Sequence, residues 1–375
     1  MRVCDPMLPG LAEEFGVDTA HAAHVITYFA IAYGIFQIVH GPIGDRLGKY
    51  RVISTATLLA ALGSFTCAIA PSLNALVAAR FMTGAIAAAV IPLSFAWLGD
   101  VIDYEQRQPA LARFMSGSIL GVIVGQLVGG IFVDTLGWRA AFCALGLMFA
   151  LAGTLLIRQS RRMPQGKTSA TLVKNPLKLL ANYASIARDP WVRKLLGIIL
   201  VEGMLIFGSV AFIPTALHQR FSIPLWMAGL IGSMFGVGGL CYTTFARRLL
   251  LRFGERGLVL IGGSLVAAGL LTIDFAPSWQ VAVAGCLMMG MGFYGFHNTL
   301  QTHGTQISPS QRGMGMSLFA FTFFAGQSGG VALASATIAR SGFTVVFAGA
   351  AVALLAMTAV FGIALARRSA NRLSS

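Results

Sequence analysis

The 375-residue sequence predicts an all-α polytopic membrane protein: two six-helix bundles related by pseudo-symmetry, with the first helix largely missing from the chain. Three observations lead there. The composition is too apolar for water, eleven stretches are long enough to cross a bilayer, and a repeat relates the two halves. Of the residues, 56% are hydrophobic and 11% charged, whereas a soluble domain carries about 25% charged residues to coat its surface. A soluble enzyme, a disordered chain and a secreted disulfide scaffold are thereby excluded. Glycine, at 44 residues, exceeds the usual ~7%, as expected where membrane helices approach closely.

Spanning a ~30 Å hydrocarbon core takes about 20 residues. Apolar stretches of that order lie at 21–43, 51–70, 74–98, 113–134, 139–158, 191–216, 224–246, 258–276, 279–301, 314–339 and 343–366. The chain therefore divides into four parts. An N-terminal half, 1–157, holds a remnant of the first helix and five spans. A basic linker, 158–190, precedes the C-terminal half, 191–366, with its six spans. A basic tail, 367–375, closes the chain.

The net charge of +14 would suggest a nucleic-acid partner in a soluble chain. Its placement argues otherwise. Of the 27 Lys and Arg, 22 fall in one alternating set of connections, and the other set holds only Arg2, Arg139, Arg220 and Arg340. Arg80 alone lies within a span. The positive-inside rule makes the basic set cytoplasmic, with the C-terminus inside. The expected setting is thus the inner membrane of a bacterium, with the lipid bilayer as partner and no nucleic acid.

Within the linker, Leu177, Leu180, Ala184 and Ala187 recur at helical spacing opposite Lys178 and Arg188. Two readings fit: a basic amphipathic helix on the membrane surface, or a solvated linker. The five cysteines, Cys4, Cys67, Cys143, Cys241 and Cys286, are scattered without metal or redox spacing and read as reduced, apolar-face residues. No metal site and no cofactor are expected.

The halves repeat. Asp45-Arg46-Leu47-Gly48 aligns with Leu251-Arg252-Phe253-Gly254 at an offset of 206. Gly125-Gln126 with Gly129-Gly130 resembles Gly326-Gln327 with Gly329-Gly330 at 201. Repeats of this size point to a transporter whose site lies at the repeat interface. Phe212-Ile213-Pro214 resembles Met7-Leu8-Pro9 at 205. By that offset, the counterpart of the span starting at 191 would begin before Met1. The expectation is an upstream start site or a shortened chain, and a non-transporting fragment is one functional reading.

At these residues the sequence resembles the major facilitator superfamily. Gly41-Pro42-Ile43-Gly44-Asp45-Arg46-Leu47-Gly48-Lys49-Tyr50-Arg51 is similar to its signature between helices 2 and 3. Arg80-Phe81-Met82-Thr83-Gly84 resembles its helix 4 motif. Gly121, Gly125, Gln126, Gly129 and Gly130 resemble its helix 5 "antiporter" motif, with Gln126 where proline is usual. Gly137-Trp138-Arg139 and Phe142 resemble the start of helix 6, and Asp5-Pro6-Met7-Leu8-Pro9 the outer end of helix 1. In the second half Glu202-Gly203, Gly254-Glu255-Arg256-Gly257 and Asn298-Thr299-Leu300-Gln301-Thr302 resemble the bacterial drug/arabinose-efflux-like branch.

The resemblance implies a cytoplasmic gate latch formed by Gly41, Asp45, Arg46 and Gly48. From the residues alone, Gly48 sits in a tight turn that favours positive φ. Asp45 can accept charge-assisted bonds from Arg46, Arg51 or a helix N-terminus. An ordinary capped turn with topogenic charges is the alternative.

Depth singles out the ionisable candidates. Glu202 lies eleven residues into its span, about 16 Å deep, where a carboxylate is costly unless solvated, paired or neutral. It is a proton-coupling candidate; a permanently protonated glutamic acid bonded to a neighbouring helix is the alternative. Arg80, about 9 Å from the outer end, is given a coupling role by the resemblance, while its depth favours a structural arginine snorkelling to the interface. Asp134 and Asp274 sit at span ends and read as interfacial.

Polar stripes complete the set. Tyr294, His297, Asn298 and Gln301 share one helical face, as do Tyr33, Gln37 and His40. With Gln126 and Gln327 they are substrate-cavity candidates; interhelical hydrogen bonding is the other reading. The expected function is a monomeric secondary transporter, proton-coupled and exporting small organic molecules, with no P-loop for ATP. An uptake symporter is the alternative. A polytopic membrane enzyme ranks last, because HExxH and clustered carboxylates are missing.

Overall fold

The structure, a computed structural model, describes residues 2–102, 104–163, 176–308 and 312–373. Among these, nine helices are long and apolar enough to cross a membrane. Two of the nine each join two spans that turn at a glycine, which yields the eleven expected spans.

In the N-terminal half a 3-10 turn at Arg2–Cys4 leads into α1 (Leu8–Phe15). Then come α2 (Thr19–Leu47), α3 (Lys49–Ala68), α4 (Leu73–Val101), α5 (Tyr104–Thr135) and α6 (Trp138–Ser160). The C-terminal half holds α7 (Pro190–Phe221), α8 (225–253), α9 (255–274), α10 (Trp279–Gly304), α11 (312–341) and α12 (343–373). A short linker helix, Pro176–Ile186, joins the halves. Residues 164–175 of the linker, and the side chains of Leu177, Lys178 and Leu180, lie outside the described residues. Tyr183 of that helix is buried.

Backbone conformation carries the repeat further than the motifs did. The described residues with positive φ are Gly16, Gly48, Gly137, Ser222, Gly254 and Gly342. They pair as 16 with 222, 48 with 254 and 137 with 342, at offsets of 206, 206 and 205. Each ends one helix and reverses the chain into the next, a conformation that costs little at the five glycines, which have no Cβ, and more at Ser222. Gly48, at φ 90, behaves as its turn predicted.

Close crossings repeat as well. A Cβ on Gly84 of α4 would stand 2.5 Å from the carbonyl oxygen of Phe29 in α2. A Cβ on Gly290 of α10 would collide with the same atom of Phe235 in α8. Both pairs are again 206 apart. Side chains such as Leu62, Leu147, Leu151 and Val352 point outward, the apolar surface that a bilayer requires of a spanning bundle.

Ties at the helix ends define two faces. On the face of the basic connections, Lys49 Nζ lies 2.9 Å from Asp45 Oδ1 and 2.7 Å from Asp100 Oδ2, and His303 Nε2 lies 3.1 Å from Glu255. On the weakly charged face, Glu14 pairs with Arg139 and accepts a 2.5 Å bond from Trp138 Nε1. Arg220 there donates to the carbonyl of Asp274, whose carboxylate accepts from Thr344 at 2.9 Å.

The two halves meet through α2 against α11 and α5 against α8. Their ties lie towards the weakly charged face. Ser335 Oγ donates to the carbonyl of Ala20 at 2.9 Å, and the backbone of Trp226 donates to Asp134 at 2.6 Å. Gly130 faces the carbonyl of Leu225, 2.6 Å from where a Cβ would stand. An apolar cluster of Val3, Met7, Leu8 and Leu11 with Phe212, Val331 and Ala334 seals the same side. Towards the basic face, Gly41 of α2 and Gly117 and Gly121 of α5 have open space where a Cβ would stand.

Candidate functional site

Among the described residues, each half holds a group of ionisable residues in its interior. In the C-terminal half Glu202 is fully buried on α7. His297 of α10 places Nδ1 at 3.1 and 3.0 Å from its two carboxylate oxygens, a geometry in which the imidazole N–H donates. Directly after Glu202 the helix widens into a π segment, Gly203–Phe207. Such bulges are rare and concentrate at functional sites.

Rings enclose the pair. His297 stacks on Phe293 with centroids 4.9 Å apart and touches Phe319 and Phe323. Phe207 meets Phe293 and Phe323 edge to face at 5.1 and 5.3 Å. Glu202 thus has one imidazole in an apolar shell, while His297 keeps 16% of its side chain exposed. A proton can pass between a carboxylate with no water access and an imidazole that has some.

In the N-terminal half Arg2 and Asp5 form a buried ion pair at 3.1 Å, and the Arg2 guanidinium lies 4.2 Å from the ring centre of Phe207 in the other half. The motif reading passed over this pair, although spacing of i, i+3 within a helical turn was a signal for it. Arg80 differs from its expected snorkelling. Its side chain is only 3% exposed and turns into the bundle, where Nε donates to the carbonyl of Val25 at 3.3 Å. The guanidinium sits 3.9 Å from the centre of the Phe29 ring. Ring and carbonyl on α2 replace the interface as its partner, which favours an inward arginine in apolar surroundings.

The remaining candidates separate by place. On α10, Tyr294 and Gln301 are half-buried, and exposed Asn298 donates to the Tyr242 hydroxyl at 3.3 Å. On α2, Tyr33 is buried with its ring centroid 4.6 Å from that of Phe324 of α11, and Gln37 is buried beside it. His40 bonds back to the carbonyl of Phe36. Gln126 is fully buried where α5 crosses α8, its side chain against Gly232. Gln327 is buried on α11, with its backbone close to Gly203 of α7.

At the turn between α2 and α3, Asp45 is held by Lys49 rather than by Arg46, Arg51 or a helix N-terminus. Lys49 also reaches Asp100, so it ties the turn to the end of α4. Gly44 packs against Leu93, and Arg46 is exposed.

The sequence profile of the Major Facilitator Superfamily matches residues 2–309. The chain belongs to that superfamily. Relatives include the inner membrane transport protein YnfM of Escherichia coli K12, 26% identical over 328 residues, covering 86% of this chain and 76% of the relative. Another is the chloramphenicol resistance protein CraA of Acinetobacter baumannii, 23% identical over 290 residues, covering 76% and 68%. A solved POT family transporter in complex with 5-aminolevulinic acid superposes with a TM-score of 0.80 at 13% identity, covering 96% of this chain and 91% of its own. The superposition establishes a shared fold. This protein is therefore a multi-pass membrane transporter, and its relatives and structural neighbours are transporters rather than enzymes.

Proposed function

We propose that the chain is a proton-coupled secondary transporter that exports small organic molecules by alternating access. The Glu202–His297 pair carries the proton. The observation that carries this reading is the placement of a fully buried carboxylate against one partly exposed imidazole, beside a π segment and under an aromatic shell. A carboxylate so placed is stable when neutral or hydrogen-bonded and costly when bare. Its protonation is thereby coupled to which side the cavity faces.

The charge asymmetry supports placing the basic face in the bacterial cytoplasm, with the C-terminus inside. The protein then stands sealed on its outer side, with the gate residues Gly41, Asp45, Arg46 and Gly48 on the inner side. Lys49, itself tied to Asp100, holds Asp45 within its own half, and a Cβ on Gly41 would meet nothing. Both support a disengaged latch. The α10 face of Tyr294, His297, Asn298 and Gln301 is assigned to the substrate, and Tyr33, Gln37, Gln126 and Gln327 to the seams between helices. The partners are a small molecule, the proton and the bilayer, with the protein acting as a monomer.

Reconstituted vesicles test the reading. An imposed pH gradient drives substrate movement in the parent protein, and reversing its polarity separates export from uptake. Glu202→Gln abolishes gradient-driven accumulation while leaving substrate exchange without a gradient. Accumulation unchanged in that variant would remove the proton role from Glu202.

A further inference from the structure

We propose that Asp134 is a gating latch on the weakly charged face, holding the two halves together there by capping α8 in trans. The helix starts at Leu225, after Ser222 in the left-handed region and Pro224 at its cap position, and no side chain from its own segment bonds its first turn. Such a helix end carries N–H groups without intrahelical partners and a partial positive charge. Asp134 comes from the last turn of α5, in the other half, and its Oδ2 accepts the N–H of Trp226 at 2.6 Å.

The surroundings are shaped for this contact. Four residues earlier on α5, Gly130 lets the two backbones meet, since a Cβ there would stand 2.6 Å from the Leu225 oxygen and 2.8 Å from the Trp226 Cα. One turn into α8, Gly229 faces the carbonyl of Gln126 in the same way at 2.7 Å. Separating the halves on this face therefore breaks a charge-assisted bond and strips a helix of its cap at once. Asp134 acts on the equilibrium between conformations and touches no substrate. The inference rests on the alternating-access reading, and its test measures conformation, whereas the Glu202 test measures coupling.

Spin labels on cysteines replacing the exposed Leu136 and Phe275, in a background with Cys143 and Cys241 changed to serine, report the spacing across this face. Asp134→Ala raises the ratio of separated to closed populations about fivefold, the size expected for loss of one helix cap. Asp134→Asn keeps an acceptor without the charge and gives a smaller shift in the same direction. A purely structural role would lower thermal stability and leave the distances alone. Distance distributions of both variants that superimpose on the parent, or move towards closure, overturn the proposal.

Discussion

Gly84 of α4 and Gly290 of α10 stand 206 residues apart and admit the same carbonyl, that of Phe29 in one half and Phe235 in the other. One turn before each, the match ends: Arg80 reaches across its half to a ring and a backbone oxygen, while its counterpart Cys286 is a buried thiol. The same contrast recurs at Lys49, which binds two carboxylates where Glu255 binds a histidine. At the same offset His297 falls opposite Ile91, which carries no ionisable group. The comparison teaches that the repeat preserves turns and crossings, which any two-bundle scaffold needs, and leaves each half free to carry its own charges.

The sharpest way to break the comparison is to fill a crossing. Gly84→Val and Gly290→Val both force a helix pair apart, at about 3 kcal/mol or more, and yield little folded protein by size-exclusion chromatography. If only one half proved sensitive, the crossings would not be equivalent. The charges come next: Arg80→Met loses the ring and carbonyl contacts, about 1–2 kcal/mol, read as a lower thermal midpoint in detergent. Cys286→Ser stays close to the parent. Gly41→Ala, in open space, leaves the thermal midpoint unchanged and slows transport if the latch closes on that residue.

The smallest effect lies at the end of α1 on the weakly charged face. Partial burial pushes the Glu14 carboxyl up, but hydrogen bonds from Arg139 and Trp138 outweigh it and hold the group below its ordinary value of 4.5. A lowered value in the folded state means stability that is present above 4.5 and is lost as pH falls through the folded value. The pair is half-exposed, so solvent limits the gain to about 0.5 kcal/mol. The gap in thermal midpoint between the parent and Glu14→Gln is therefore small at pH 7 and closes in acid.

Spans, faces and the Gly48 turn were legible because hydropathy, charge placement and positive φ are local properties. Residue pairs were not. Glu202 and His297 are 95 residues apart, and nothing local tells which face of α10 meets α7. The π segment after Glu202, Gly203–Phe207, holds residues common in any membrane span and announces itself by no residue type. Asp45 and Lys49 had i, i+4 spacing, yet Gly48 between them reads as a helix break, so arginines looked like better partners. Asp134 appeared as a bystander at a span end, since its partner is a backbone N–H that no side-chain pattern reveals.

The glycine seam between α5 and α8 has a kinetic meaning. Where long side chains close an interface, each one immobilised costs about 0.5–1.5 kcal/mol of rotamer freedom. At Gly130 and Gly229 backbone meets backbone, and these positions have no rotamers to freeze. At these two crossings opening and closing needs no side-chain search, which leaves Asp134 and Gln126 as the side chains that must find their places when the seam closes.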